Sequence, residues 1–243
     1  MAEADEQDSG ALRSFTGIPN VILSVACFLI AIGHLYVAFD PILSELERNA
    51  YHFAGFAALA AVLYPMWQGK SGNRAPVLLD AMIGLTVAIA AVWLAQAENA
   101  IYDRGVKFST PDWIAATICI LGAIELTRRV AGLIIPCLII IALTYIAYWG
   151  QFVGGIFAFP GLSVETVAFR SIYGDDAMFG TIARISSTYV FLFIIFGAFL
   201  LRSGAGEFVI NLARAVAGRM VGGPGIVAVI ASGLTGTISG SAV

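Results

Sequence analysis

The feature that most restricts the fold of this chain is a series of long apolar stretches with few charged side chains. The first extends from Ile18 to Phe39 and ends at Asp40-Pro41, because proline disfavours helical geometry in the residue before it. About 20 mainly apolar residues cross the hydrocarbon core of a bilayer as a helix. Since 59% of the residues are hydrophobic and only 12% are charged, the chain cannot cover itself with polar surface. The sequence predicts an all-α, polytopic membrane protein.

Further apolar stretches bring the expected total to about six to seven membrane segments. They run over Tyr51–Trp67, Pro76–Ala97, Trp113–Thr127, Val130–Phe152, Val190–Leu201 and Gly225–Val243. The stretch Val190–Leu201 is too short to span by itself and must borrow residues from Ile182–Tyr189. Charged residues interrupt the pattern between Ala158 and Tyr189, which predicts a segment along the interface or at the membrane edge.

These changes of pattern predict four regions. Residues 1–17 begin with the acidic MAEADEQD and lack apolar periodicity, so they are expected to be a disordered cytoplasmic tail. Residues 18–129 hold four spans, 130–157 form a connecting transmembrane helix, and 158–243 begin a further region. Within the last region, RSGAGEFVINLARAVAGRM is amphipathic, with Phe208 and Leu212 on one side and Arg214 and Arg219 available for water or headgroups.

Lysine and arginine predict the orientation, because cytoplasmic loops carry the excess of these residues. With the N-terminus inside, the cytoplasmic set is Arg13, Lys70, Arg74, Arg128, Arg129, Arg202, Arg214 and Arg219. The opposite set is smaller and consists of Arg48, Arg104, Lys107, Arg170 and Arg184. The bias favours a cytoplasmic N-terminus.

Glycine and hydroxyl side chains are concentrated in the final stretch, GLTGTISGSAV, from Gly233 to Val243. Non-helical backbone is tolerated in hydrocarbon only where protein or a water-filled cavity satisfies its polar groups. Secondary transporters use broken helices of this kind to hold an anionic substrate and a coupling cation near the midplane. Gly236 and Gly240 also form a GxxxG pattern, so close helix packing remains an alternative from spacing alone.

Three consecutive segments near this end form a distinctive run. They are FLFIIFGAFLLRSGAGEF, NLARAVAGRMVGGPG and VAVIASGLTGTISGSAV. Together they resemble the large membrane subunit of the tripartite ATP-independent periplasmic (TRAP) transporters. Upstream, ELTRRVAGLIIPCLIIIALTYIAYWG resembles the join in the TAXI type, in which the small and large membrane subunits are fused.

The resemblance implies that residues 18–129 are a small-subunit-like scaffold and that 158–243 begin the large-subunit transport region, including its first re-entrant hairpin. It also implies a substrate and cation site in this hairpin, formed by Gly236, Thr237, Ser239, Gly240 and Ser241. No metal is expected beyond Na⁺ at these same residues, and no cofactor beyond the coupling ion, Na⁺ or H⁺. The transport region is expected to continue past Val243 to a second hairpin.

The implied function is that of a membrane component of a secondary transporter that imports a small organic anion of the carboxylate type. Import would be symport driven by an ion gradient, with an elevator mechanism. The implied partners are an extracytoplasmic TAXI-type substrate-binding protein, the remaining large-subunit membrane segments and the lipid bilayer. The implied location is a bacterial or archaeal cytoplasmic (inner) membrane. The alternative is a non-transporting scaffold or assembly subunit, in which the SGS stretch only packs.

Other function classes have little support in the sequence. It contains neither a GxSxG nor an HExxH motif, so no enzyme is expected, and nothing indicates nucleic-acid binding. His34 and His52 are lone histidines, which are more typical of hydrogen bonding to a neighbour than of haem ligation.

Two acidic residues near span ends leave a choice open. Glu125 is expected to pair with Arg128 and Arg129, which follow it on the same helical turn. A role in proton coupling remains open for Asp80 and Glu125, because intramembrane carboxylates are costly.

Overall fold

The structure is a computed structural model that describes residues 12–40, 42–67 and 74–239, with the backbone alone at 74, 75, 201, 235 and 237–239. This part of the chain is helical and contains no strand. The all-α class is therefore confirmed. The chain forms two compact units, Met1–Ser187 and Thr188–Val243, which are described separately.

The first unit begins with two helices whose starts have different causes. Helix α1 covers Ile18–Phe39, as the apolar run predicts, and contains no buried residue. Helix α2 covers Glu45–Leu63 and starts earlier than its apolar stretch. A capping box explains this start, because Ser44 Oγ accepts from the Glu47 amide at 3.2 Å and the Glu47 carboxylate accepts from the Ser44 amide at 2.9 Å.

Helices α3 (Arg74–Asp103) and α4 (Thr110–Ala131) complete a bundle with α2. Small residues let these helices approach closely. A Cβ placed on Gly84 of α3 would lie 2.7 Å from the Ala61 Cβ of α2. One placed on Gly122 of α4 would lie 2.3 Å from Val87 Cγ2 of α3. The buried face of α2 is correspondingly narrow and consists of Asn49, Ala50, Ala54, Ala57 and Ala61.

The rest of the first unit is a shorter helix, two turns and a packed segment. Gly132, with φ of 77°, ends α4, and α5 covers Ile134–Ala147. The 3-10 turns Trp149–Phe152 and Gly155–Phe157 lead to α6, Val164–Tyr173. The segment predicted to lie along the interface or at the membrane edge contributes Ile172 and Phe179 to the core, 0% and 2% exposed. The apolar side of α6 therefore packs into the bundle.

Helix α7 (Thr181–Ile185), a π-helical turn (Ser186–Val190) and α8 (Phe191–Arg202) follow one another along the backbone. Together they provide an apolar stretch, Thr181–Leu200, that is long enough to cross a membrane. The predicted borrowing from residues 182–189 is therefore confirmed. In the described residues, Ile18–Phe39 and Pro76–Asp103 also meet this criterion of length and composition.

The second unit contains the end of this stretch and two further helices. Helix α9 covers Ala205–Ala217, and α10 covers Gly223–Ser239. Left-handed glycines, Gly204 with φ of 78° and Gly222 with φ of 77°, precede them. Helix α9 buries Val209, Ala213 and Ala217 at four-residue spacing, whereas Phe208 and Leu212 of the predicted apolar side are 67% and 43% exposed.

Candidate functional site

The predicted substrate and cation site lies at the end of α10 and directly after it. The helix includes Gly236, Thr237 and Ser239 in its backbone. Gly240 and Ser241 lie outside the described residues, as do the side chains of Thr237 and Ser239. The five residues therefore remain predicted site residues.

The glycines of α10 differ from the packing glycines of the first unit. A Cβ placed on Gly233 or Gly236 would have no atom within 4 Å beyond its chain neighbours and its own helix. At Gly122, by contrast, the same atom would overlap Val87. Within the described part of the chain, close packing does not require glycine at 233 or 236. The packing alternative for this stretch therefore gains no support there.

A group of charges with a buried centre, the Asp80 cluster, joins the N-terminal segment to α3 and α4. Its members are Arg13, Asp80, Glu125, Arg128 and Arg129. Asp80 Oδ2 accepts from Arg13 Nη2 at 2.6 Å, and Asp80 Oδ1 accepts from Arg129 Nη1 at 2.8 Å. The side chains of Arg13, Asp80 and Arg129 are 3%, 1% and 0% exposed, respectively. Both oxygens of Asp80 are therefore held by arginine.

The second carboxylate of the cluster behaves as the sequence predicts. Glu125 accepts from Arg128 Nε at 2.7 Å and from Arg129 Nε at 2.8 Å. With both carboxylates engaged by arginines, the geometry supports a structural role for Asp80 and Glu125 over a proton-carrying one.

The arginines of the Asp80 cluster also cap α2. Arg129 Nη1 donates to the carbonyls of Ala61 and Tyr64, both at 3.2 Å, and Arg13 Nη1 donates to that of Val62 at 3.1 Å. Carbonyls in the last turn of a helix have no partner within the helix and carry partial negative charge, so cations stabilise them. Arg13 falls within the predicted tail, yet it is buried at this contact.

A second polar group, the histidine bridge, links α1 and α2 to the π-helical turn through His34, His52 and Ser186. His34 Nδ1 lies 2.7 Å from the carbonyl of Ile30, so it carries the proton and donates. In neutral His34, Nε2 then accepts from His52 Nδ1 at 2.8 Å. His52 Nε2 is left to accept from Ser186 Oγ at 3.0 Å. This tautomer assignment satisfies every contact in the bridge.

Asn49 makes a parallel link beside the histidine bridge. This side chain is 0% exposed, and its amide donates to the carbonyl of Phe179 at 2.8 Å. Its Oδ1 accepts from Ser187 Oγ at 2.9 Å. Buried amides that lack such partners are destabilising, so this pairing holds the start of the Thr181–Leu200 helix against α2. π-helical turns of this kind occur frequently at functional sites.

A second group of polar contacts, centred on Asp112, joins α3 and α4 at their opposite end. Asp112 accepts from Arg104 and from the Ser109 amide, and Trp93 Nε1 donates to its Oδ1 at 3.2 Å. Glu165 of α6 accepts from the Phe108 amide at 3.0 Å. Because Asp80 and Trp93 of α3 meet Arg129 and Asp112 of α4 respectively, the two helices are antiparallel and are tied at both ends.

Sequence reasoning identified some of these residues and missed others. The pairing of Glu125 and the hydrogen bonding of His34 were predicted. Arg13 was missed, and its surrounding sequence offers no signal for burial. Asn49 was missed too, although it is a polar residue on the same face of α2 as the alanine stripe, which does mark it as a buried polar contact.

Comparison with known proteins adds a family. Residues 118–243 match the model of a family described as tripartite ATP-independent periplasmic transporter, DctM component. The match begins within α4, covers slightly more than half of the chain and includes all five predicted site residues. No curated protein and no solved structure matches the chain. The matched family is one of transporter components and not of enzymes, which agrees with the absence of enzyme motifs. The chain therefore belongs to the DctM component family of the tripartite ATP-independent periplasmic transporters.

Proposed function

We propose that this membrane component imports a small organic anion of the carboxylate type by symport with Na⁺ or H⁺. An extracytoplasmic TAXI-type binding protein delivers the substrate, and further large-subunit membrane segments complete the path. The observation that carries the proposal is the family match, which extends through the glycine- and hydroxyl-rich stretch at 233–243. Such stretches provide cation and anion ligands in secondary transporters.

The site we propose uses two kinds of group. The hydroxyls of Thr237, Ser239 and Ser241 coordinate the ion or the substrate carboxylate. Gly236 and Gly240 let the backbone approach the ligand or turn at the tip of a re-entrant hairpin. The open surroundings of Gly236 support this role, since no neighbouring helix among the described residues occupies the space of a side chain there.

The first four helices suit the part of a rigid scaffold in an elevator mechanism. Ion pairs tie α3 and α4 at both ends, and at one of these ends buried arginines also hold the last turn of α2 and the N-terminal segment. A bundle with paired charges in its interior resists sliding of its helices, because each shift would leave a buried charge without its partner. Within the expected region 158–243, we assign the mobile transport region to the part that lies in the second unit, because Ile172 and Phe179 belong to the core of the first.

Uptake measurements with the complete transporter test the site. Proteoliposomes with an imposed Na⁺ or H⁺ gradient and added binding protein would be assayed with a panel of labelled mono- and dicarboxylates. Ser239→Ala or Ser241→Ala removes a ligand from a dry cavity at about 1–3 kcal/mol. This loss corresponds to roughly five- to two-hundred-fold weaker binding of the ion or the substrate.

A matched control lies on the same helix. Ser232 is exposed on α10, and Ser232→Ala should leave ion dependence unchanged. Gly240→Val tests the backbone part and should abolish uptake while the protein still inserts. If all the serine variants and the control transport alike, the chain is a scaffold subunit and the proposed site is wrong.

We also propose that the N-terminus lies in the cytoplasm of a bacterial or archaeal inner membrane. The Asp80 cluster supports a shared side for Arg13, Arg128 and Arg129, which all belong to the predicted cytoplasmic set. Cysteines at Lys70 and Lys107 should react with an impermeant thiol reagent from opposite sides of intact cells. Reaction of both from one side contradicts the proposed topology.

A further inference from the structure

A cleft of about 630 Å³ lies between α4, α5 and α6 in the first unit. Its volume falls within the range of roughly 300–1,000 Å³ that is usual for small-molecule sites. The wall is largely aliphatic and aromatic and includes Ile120 and Ile124 of α4, Ile139 and Leu143 of α5, and Phe159 and Leu162 of the following loop. A cleft with this lining favours a hydrocarbon chain over a hydrated anion.

The hydroxyl groups in the wall are turned to the backbone. Thr127 Oγ1 donates to the carbonyl of Ala123 at 2.8 Å, and Ser171 Oγ donates to that of Val167 at 2.7 Å. Tyr145 donates to the carbonyl of Phe157. None of these donor protons is left to bind a polar ligand, so the interior of the cleft is effectively apolar.

Two residues of the lining, Arg170 and Asp176, carry charge. Arg170 and Asp176 are exposed, and neither side chain forms an ion pair or hydrogen bond with the part of the chain that the structure describes. Both residues line the cleft, and the Met178 amide donates to the carbonyl of Ser171 at 2.9 Å, so the turn after α6 folds back onto that helix. One cation and one anion therefore line the same largely apolar cleft.

We propose that this cleft binds a zwitterionic phospholipid with a primary ammonium headgroup. One acyl chain occupies the apolar cleft, the phosphate pairs with Arg170 and the ammonium pairs with Asp176. Guanidinium and phosphate form strong charge-assisted hydrogen bonds, and a carboxylate does the same with an ammonium group. A purely anionic headgroup would satisfy Arg170 and leave Asp176 facing like charge, so the pair of residues discriminates between headgroups.

Binding of defined lipids to the purified full chain tests the headgroup contacts. Delipidated protein in detergent would be incubated with phosphatidylethanolamine or phosphatidylglycerol, and bound lipid would be measured by native mass spectrometry. The wild-type chain should bind phosphatidylethanolamine about tenfold or more tightly than phosphatidylglycerol. Arg170→Gln should weaken both by about tenfold or more, and Asp176→Asn should remove the preference between them. Both residues are exposed, so neither change should affect folding.

A pair of leucines on α5 tests the apolar part. Leu143 lines the cleft, whereas Leu138 is 60% exposed on the same helix and is not part of the wall. Leu143→Trp should fill the cleft and abolish lipid retention, and Leu138→Trp should retain the lipid. Equal retention by the two variants, or wild-type binding without headgroup preference, overturns the proposal. Cross-linking of a cysteine at Leu143 to another protein segment of the transporter overturns it as well, because protein then fills the cleft.

Discussion

The two units of this chain differ in whether charged side chains are paired in the interior or exposed. In the first unit, Asp80 and Arg129 lie in the interior and form ion pairs with 1% and 0% exposure. In α8, α9 and α10, the described side chains form no ion pair, and Arg202, Glu207 and Arg214 are exposed. Buried pairs determine which parts of neighbouring helices must stay in register, and the second unit has no such constraint among its described residues. This difference is what the proposed elevator mechanism requires of a scaffold and a transport region.

Glycine use shows the same difference. In the first unit, Gly84 and Gly122 lie where another helix occupies the space of a side chain. In the second unit, Gly197, Gly206 and Gly233 have no such neighbour. At these positions, glycine allows close helix packing in the first unit and leaves the backbone accessible in the second.

Of the changes that test this comparison, removal of the Asp80 carboxylate should have the largest effect on stability. Asp80→Ala leaves two buried arginines without their partner and should lower the free energy of unfolding by about 3–5 kcal/mol. The exposed Glu207 of α9 provides the control, and Glu207→Ala should change it by less than about 0.5 kcal/mol. Denaturation of both variants in the same detergent measures the effect. Equal stability of the two would show that the Asp80 cluster does not hold the first unit together.

Replacement of a packed glycine and of an open glycine by alanine should change the stability by an intermediate amount, with opposite signs in the two cases. Gly122→Ala forces a Cβ against Val87 and should destabilise the chain by about 1–3 kcal/mol. Gly197→Ala meets nothing within 4 Å and should be neutral or stabilising by up to about 1 kcal/mol, because alanine is the better helix former. The midpoints of thermal unfolding give the comparison. A loss of stability in Gly197→Ala that matches Gly122→Ala would remove the distinction between the units.

Loss of one hydrogen bond from the histidine bridge should have the smallest effect on stability. His34→Phe keeps an aromatic ring and leaves the donor His52 Nδ1 without its acceptor, at about 1 kcal/mol of stability. Tyr36 lies on the same helix and is 55% exposed, so Tyr36→Phe should change stability by less than about 0.5 kcal/mol. Differential scanning fluorimetry of the two variants distinguishes them. If His34→Phe behaves as Tyr36→Phe does, α1 is held by apolar contacts and not by the bridge.

The bounds of the helices were predictable only where composition determines them. Helix α1 matches the predicted Ile18–Phe39 because its residues are apolar on every side, so its ends are simply the ends of the apolar run. Helix α2 starts before the predicted Tyr51, because the capping box at Ser44 and Glu47 starts a helix with polar residues. The fifth stretch was predicted as one helix to Phe152, and α5 instead ends at Ala147 before a 3-10 turn.

The sequence by itself determined the class of the protein, its family and the chemical type of the proposed site. Hydrophobic length, loop charge and the composition of 233–243 are local properties, and each is complete within a short stretch of chain. Pairings between distant residues were decided only by the tertiary structure. Arg13 meets Asp80, and Asn49 meets Ser187, because folded helices bring together side chains that no spacing in the sequence connects.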